Sequence, residues 1–124
     1  MKRVIHTDNA PKAVGPYSQA VEANGTLYVS GQLPIDPATG KTPETIEEQT
    51  EQALKNTGAI LEAAGYGYGD VVKSTVLLSS MDDFAAMNGV YAKFYTRDMP
   101  ARVAYQVAKL PFGVKVEIET IAAK

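Results

Sequence analysis

Arg102 and Glu117 lie in two alternating runs within the last fifth of a 124-residue chain. In the first run Val103, Tyr105 and Val107 alternate with Arg102, Ala104 and Gln106. In the second, Val116, Ile118 and Thr120 alternate with Lys115, Glu117 and Glu119. Such a period of two predicts strands, each with an apolar and a polar face. An Arg at the start of a strand offers a planar fork of donors that matches a carboxylate, and a Glu on the same face could polarise water; Arg102 and Glu117 form that candidate pair. Two ordinary solvated strand residues would show the same pattern, so spacing alone leaves both readings open.

Three other places could line a ligand site. Ser30-Gly31 closes a strand-like run, and a residue without Cβ lets another group approach the backbone; a plain strand end is the alternative. Tyr17 follows Gly15-Pro16 and is either a packed aromatic with its hydroxyl at the surface or a cleft residue. Asn88 falls four residues after Phe84 and three before Tyr91, on the apolar stripe of a helix. Its inward amide must find a local partner or a ligand.

Composition removes several chemistries. The chain has no cysteine, which excludes disulfides, thiolate nucleophiles and Fe–S clusters and suits a reducing compartment. His6 is the single histidine, too few for the usual zinc sets, so no metal is expected. Twelve basic and 14 acidic residues give a net charge of −2 with no basic stripe, which argues against nucleic acid. No stretch approaches the ~20 apolar residues of a transmembrane helix, and the first residues lack the apolar core of a signal peptide. A cytoplasmic protein with one domain over residues 1–124 is the expectation.

The elements that must position these residues follow from period and punctuation. Val4 and Ile5 begin a short strand. Tyr17 to Ala23 and Thr26 to Ser30 flank Asn24-Gly25, the strongest short hairpin signal. Thr42 and Pro43 read as the cap and first position of a helix that runs to Gly65, with Ile46, Ala53, Leu54, Thr57, Ile60, Leu61 and Ala64 as its apolar stripe. Tyr66-Gly67-Tyr68-Gly69 connects it to Asp70–Ser79, which is apolar on both parities, as for a mid-sheet strand covered on two faces. Ser80 caps a second helix that buries Phe84, Met87, Tyr91 and Phe94. The order β, β-hairpin, α, β, α, β, β is α+β, a mixed sheet with two helices packed on one face.

GPYSQAV (Gly15 to Val21), SGQLPIDPATG (Ser30 to Gly40), DDFAAMNGVYAKFY (Asp82 to Tyr95), PARVAYQVAKLP (Pro100 to Pro111) and VKVEIETIA (Val114 to Ala122) together resemble the RidA/YjgF family nearly end to end. The resemblance implies a chorismate-mutase-like fold, a homotrimer with clefts between subunits, and no cofactor. It also implies hydrolytic deamination of 2-aminoacrylate, 2-aminocrotonate and their imine tautomers to 2-oxoacids and ammonium. Carried over by motif, Arg102 would clamp the substrate carboxylate and Glu117 would position or activate water. Tyr17, Ser30 and Asn88 would line the cleft, with backbone contacts from Gly31 and Ala104. Relatives often place Ser or Thr directly after the Arg and Cys two places after it; Val103 and Ala104 stand there instead. Two other readings remain: a non-catalytic module for small carboxylic acids, and an RNA-directed role.

The last two strands carry a separate expectation. Turning symmetrically at Leu110 to Gly113, they would set Gln106 opposite Glu117 and Arg102 opposite Ile121, leaving Arg102 and Glu117 about 13 Å apart. Val103, Tyr105, Val107, Val116 and Ile118 would lie under the helices. The face of Arg102, Ala104, Gln106 and Ile121 would be left for a neighbouring subunit.

Overall fold

The computed structural model describes all 124 residues. Asn24 and Gly25 both take positive φ, as a type I′ turn requires, and join β2 (Ala20–Ala23) to β3 (Thr26–Gln32). β1 (Arg3–Ile5) pairs antiparallel with β2 at the sheet edge. The hairpin begins at Ala20 rather than Tyr17.

Helix α1 spans Ile46–Ala63. Its N-cap is Thr45 rather than Thr42, because the Thr45 hydroxyl accepts from Glu48 N at 3.1 Å and Glu48 sits at the N3 position of a capping pair. The whole expected apolar stripe of α1 is buried. Gly65, just beyond the helix end, takes φ +85°, the left-handed conformation that a side chain disfavours. Ser80 caps a single 3₁₀ turn, Met81–Asp83, which leads into α2 (Phe84–Phe94).

The six strands lie in the order β1-β2-β3-β6-β4-β5, a mixed sheet. β4 (Val71–Leu78) runs through α2 to β5 (Ala101–Gln106) as a parallel crossover unit. β6 (Val116–Ala123) then inserts antiparallel between β3 and β4. The two C-terminal runs therefore do not form the expected hairpin. The chain passes over β4 instead, with Val107 N donating to Leu78 O and Ser79 N donating to Lys115 O.

This insertion reverses the face assignment in β5. Arg102, Ala104 and Gln106 are in register with Ser74, Val76 and Leu78, which in turn face Thr120, Ile118 and Val116. That row is the helix-covered one. Val103 and Tyr105, expected under the helices, are instead 43% and 47% exposed on the opposite face. β4 is interior but covered on one face only: Ser74, Val76 and Leu78 are buried, while Val72 and Lys73 are exposed. One core fills the space between the helices and the sheet, including Leu27, Leu54, Ile60, Leu61, Val76, Leu78, Met87, Val116 and Ile118. The second face carries Val4, Tyr28, Val103 and Tyr105, all exposed. No helix is long and apolar enough to cross a membrane.

Candidate active site

Glu117 belongs to the open face. It pairs with Leu77 of β4, alternating with the buried Val116 and Ile118. On its other side β3 bulges between Val29 and Gln32, bringing Gly31 against the Glu117 side chain. A Cβ at Gly31 would collide with Glu117 Oε2, and it would stand 2.9 Å from the carboxylate carbon. Glycine is needed here for space. Burial raises the Glu117 carboxyl above the ordinary carboxylate range, and the charge of Glu119 on the same face adds to the shift. A carboxyl so placed holds its proton to higher pH and is a stronger base once ionised.

A cleft of about 440 Å³ opens over this carboxylate. Tyr17, Ser30, Gly31, Glu117 and Glu119 line one part of it, and Val14, Leu33, Pro111 and Phe112 the other. Tyr17 is half exposed, and its hydroxyl accepts from Val14 N at 3.3 Å. The Ser30 hydroxyl donates to Ser18 O at 2.6 Å, which leaves its lone pairs for a donor on a ligand. Phe112 is 76% exposed with φ +58°, so a large apolar ring stands at the cleft mouth on a left-handed residue.

Arg102 lies in a second cleft, of about 330 Å³, lined by Asn88, Tyr91, Ala92, Tyr95, Met99, Pro100 and Arg102 itself. Arg102 Nη1 donates to Asn88 Oδ1 at 2.7 Å, so the inward amide of Asn88 has found its partner. The guanidinium carbon is 4.9 Å from the Tyr91 ring centroid and 5.7 Å from that of Phe84. The arginine–carboxylate ion pair in the chain is Arg3–Glu22, so no carboxylate of the chain neutralises Arg102.

The residues expected at the site thus fall into two groups. Tyr17, Ser30, Gly31 and Glu117 converge on one cleft, and Asn88 and Arg102 on the other. Ala104 lines neither; it packs against the core beside Val76. Sequence reading missed Glu119, legible only as a second carboxylate on the parity of Glu117. It also missed Phe84 and Tyr91 as neighbours of Arg102, because an apolar helix stripe reads as core.

A family model described as endoribonuclease L-PSP matches residues 7–124. The chain belongs to that family, RidA/YjgF. Within RidA/YjgF, a RutC family protein of Pyrococcus horikoshii is 55% identical over 100% of this chain and 99% of its own length. The 2-iminobutanoate/2-iminopropanoate deaminase of mouse is 50% identical, covering 100% of this chain and 93% of the mouse protein. The crystal structure of Escherichia coli TdcF with bound serine matches with a TM-score of 0.96 at 42% identity, covering 98% of each chain. The RidA/YjgF motifs seen in the sequence thus coincide with a match over nearly the whole fold.

Proposed function

We propose that this protein is a hydrolytic deaminase of 2-imino acids, with 2-iminobutanoate and 2-iminopropanoate or their enamine tautomers as substrates and 2-oxoacids and ammonium as products. The observation that carries the reading is Arg102, an exposed guanidinium held by Asn88 that no carboxylate of the chain neutralises. Its free edge suits the substrate carboxylate. The imine carbon beside that carboxylate is already electrophilic, so the protein must mainly orient it and supply water. Glu117 takes a proton from the attacking water as oxygen bonds to carbon. As that bond forms the C=N π pair moves to the iminium nitrogen. Glu117 then returns its proton to the nitrogen of the carbinolamine, and the C=O forms as the C–N bond breaks and the departing ammonia takes up the hydroxyl proton to leave as ammonium.

In this reading the working site closes between subunits of a homotrimer. Arg102 and Glu117 lie on opposite faces of one sheet, and the second face leaves Val4, Tyr28, Val103 and Tyr105 exposed for a neighbour. Tyr17, Ser30 and Gly31 complete the Glu117 side, and the role is control of reactive metabolites in the cytoplasm. Two carboxylates in the Glu117 cleft, Glu117 and Glu119, would repel a phosphodiester and weigh against the ribonuclease of the family description.

The bound serine of TdcF gives a second reading some support: a binding module for small carboxylic acids. A coupled assay separates the two. A threonine dehydratase generates the imine, and 2-oxobutanoate is followed with and without the protein in a buffer of low nucleophilicity. Deamination should accelerate; binding of 2-oxobutanoate without acceleration would establish the module instead.

A further inference from the structure

Helix α2 brings Phe84, Asn88 and Tyr91 onto one stripe, at spacings of four and three residues, and this stripe faces the strand that carries Arg102. Asn88 supplies a point contact at Nη1, which fixes one corner of the fork but leaves the plane free to rotate about that contact. The two rings lie within the range of cation–π attraction. With no carboxylate of the chain beside the guanidinium, the rings are its remaining restraint.

We propose that Tyr91, assisted by Phe84, is a positioning residue: its ring sets the plane of the Arg102 guanidinium so that the edge away from Asn88 meets a carboxylate as a bidentate fork. The inference rests on the reading of Arg102 as a carboxylate anchor. The ring performs this task without its hydroxyl. Tyr91 is 7% exposed, and its oxygen is buried beside Ser74 Oγ, with neither hydroxyl in good hydrogen-bonding geometry to a partner. A hydroxyl left unpartnered costs stability rather than supplying it. Burial raises its pKa, so it stays neutral and contributes no charge to the anion site. An aliphatic side chain at 91 would fill much of the same volume but has no π face for the guanidinium.

The test compares Tyr91→Leu, Tyr91→Phe and Phe84→Leu by titration with 2-oxobutanoate, by KM and kcat for the enzymatically generated imine, and by the NMR resonance of Arg102 Nε–H. Tyr91→Leu should weaken 2-oxobutanoate and raise KM roughly tenfold with a smaller change in kcat, and should move the Nε–H resonance out of its ring-current position. Tyr91→Phe should match the wild type in all three. Phe84→Leu, at a partly exposed position, should show a smaller effect of the same kind and serves if Tyr91→Leu folds poorly. Wild-type affinity and an unmoved resonance in folded Tyr91→Leu would overturn the proposal, as would Tyr91→Phe proving as impaired as Tyr91→Leu. If the wild type itself neither binds 2-oxobutanoate nor turns over the imine, the anchor reading fails, and the resonance alone decides whether Tyr91 orients Arg102.

Discussion

The carboxylate of Glu117 occupies the space that a side chain at Gly31 would need. Two strands contribute to this contact, and the bulge in β3 is what lets them approach. Gly31→Ala should therefore displace Glu117 from the cleft. We expect kcat to fall at least about tenfold, since small misplacements of a reacting group are costly, with a melting temperature lowered by no more than a few degrees. Wild-type turnover would show that the position of the carboxylate does not matter to the reaction.

Burial of Glu117 gives a pH signature. Its folded-state pKa is raised, so folding disfavours the ionised form: the stability it contributes is complete below the unfolded pKa and is lost as pH rises through the folded value. Glu117→Gln removes that ionisation. The variant should melt at a higher temperature than the wild type at neutral pH, and the difference should vanish below about pH 4, where the carboxyl is protonated in both states. Its deaminase activity should be lost. Melting curves across this range would show the opposite trend if the carboxylate were stabilised by a partner.

Asn88→Ala removes the acceptor of Arg102 Nη1 at an only partly buried position. KM should rise several-fold and the affinity for 2-oxobutanoate should drop, while the melting temperature stays within a few degrees, corresponding to roughly 1 kcal/mol or less. A structural role for the amide predicts the reverse, a clear thermal loss with unchanged turnover.

Gly58, inside α1, tests packing alone. Alanine is normally better than glycine within a helix by about 1 kcal/mol. Here a Cβ would collide with Tyr68 Oη, which donates to Leu54 O at 2.7 Å. Burial pushes the Tyr68 phenol up to about 12, so it is neutral and held as a donor at any ordinary pH. Gly58→Ala should destabilise by roughly 1–3 kcal/mol despite the gain in propensity, read as a lower denaturant midpoint.

Local patterns were legible where one rule acted alone. The stripe from Ile46 to Ala64 was readable because a 3.6 period has no competitor over 18 residues, and Asn24-Gly25 because few turns demand two positive φ angles. The start of α1 is not legible because Thr42-Pro43 and Thr45-Glu48 both carry helix-entry signals, and only the hydrogen bond from Glu48 N to Thr45 decides between them. Strand order failed for a different reason. Alternation tells which residues share a face but not which strand lies alongside, and β4 takes the place that a hairpin would give to β6. A β5–β6 hairpin would set Arg102 on the open face, whereas its pairing with β4 sets it on the helix-covered one. The two halves of the candidate site could thus be named from motifs, but their separation could not.

That separation gives the last prediction. Through β4, Arg102 is in register with Ser74 and Thr120 on the helix-covered face, whereas Glu117 is in register with Leu77 and Tyr105 on the open face. A three- or four-carbon imino acid cannot touch both within one chain, because the sheet lies between them. If the reaction needs both residues, the Arg102 cleft of one subunit must meet the Glu117 cleft of another. Arg102→Ala and Glu117→Ala homo-oligomers should each be inactive. Mixing them after reversible dissociation should restore a fraction of wild-type activity, because some interfaces then combine an intact Arg102 with an intact Glu117. Monomers obtained by dilution should be inactive and should regain activity on reassociation. Absence of recovery in oligomers that mass spectrometry shows to be mixed would mean that the two residues do not act together across an interface.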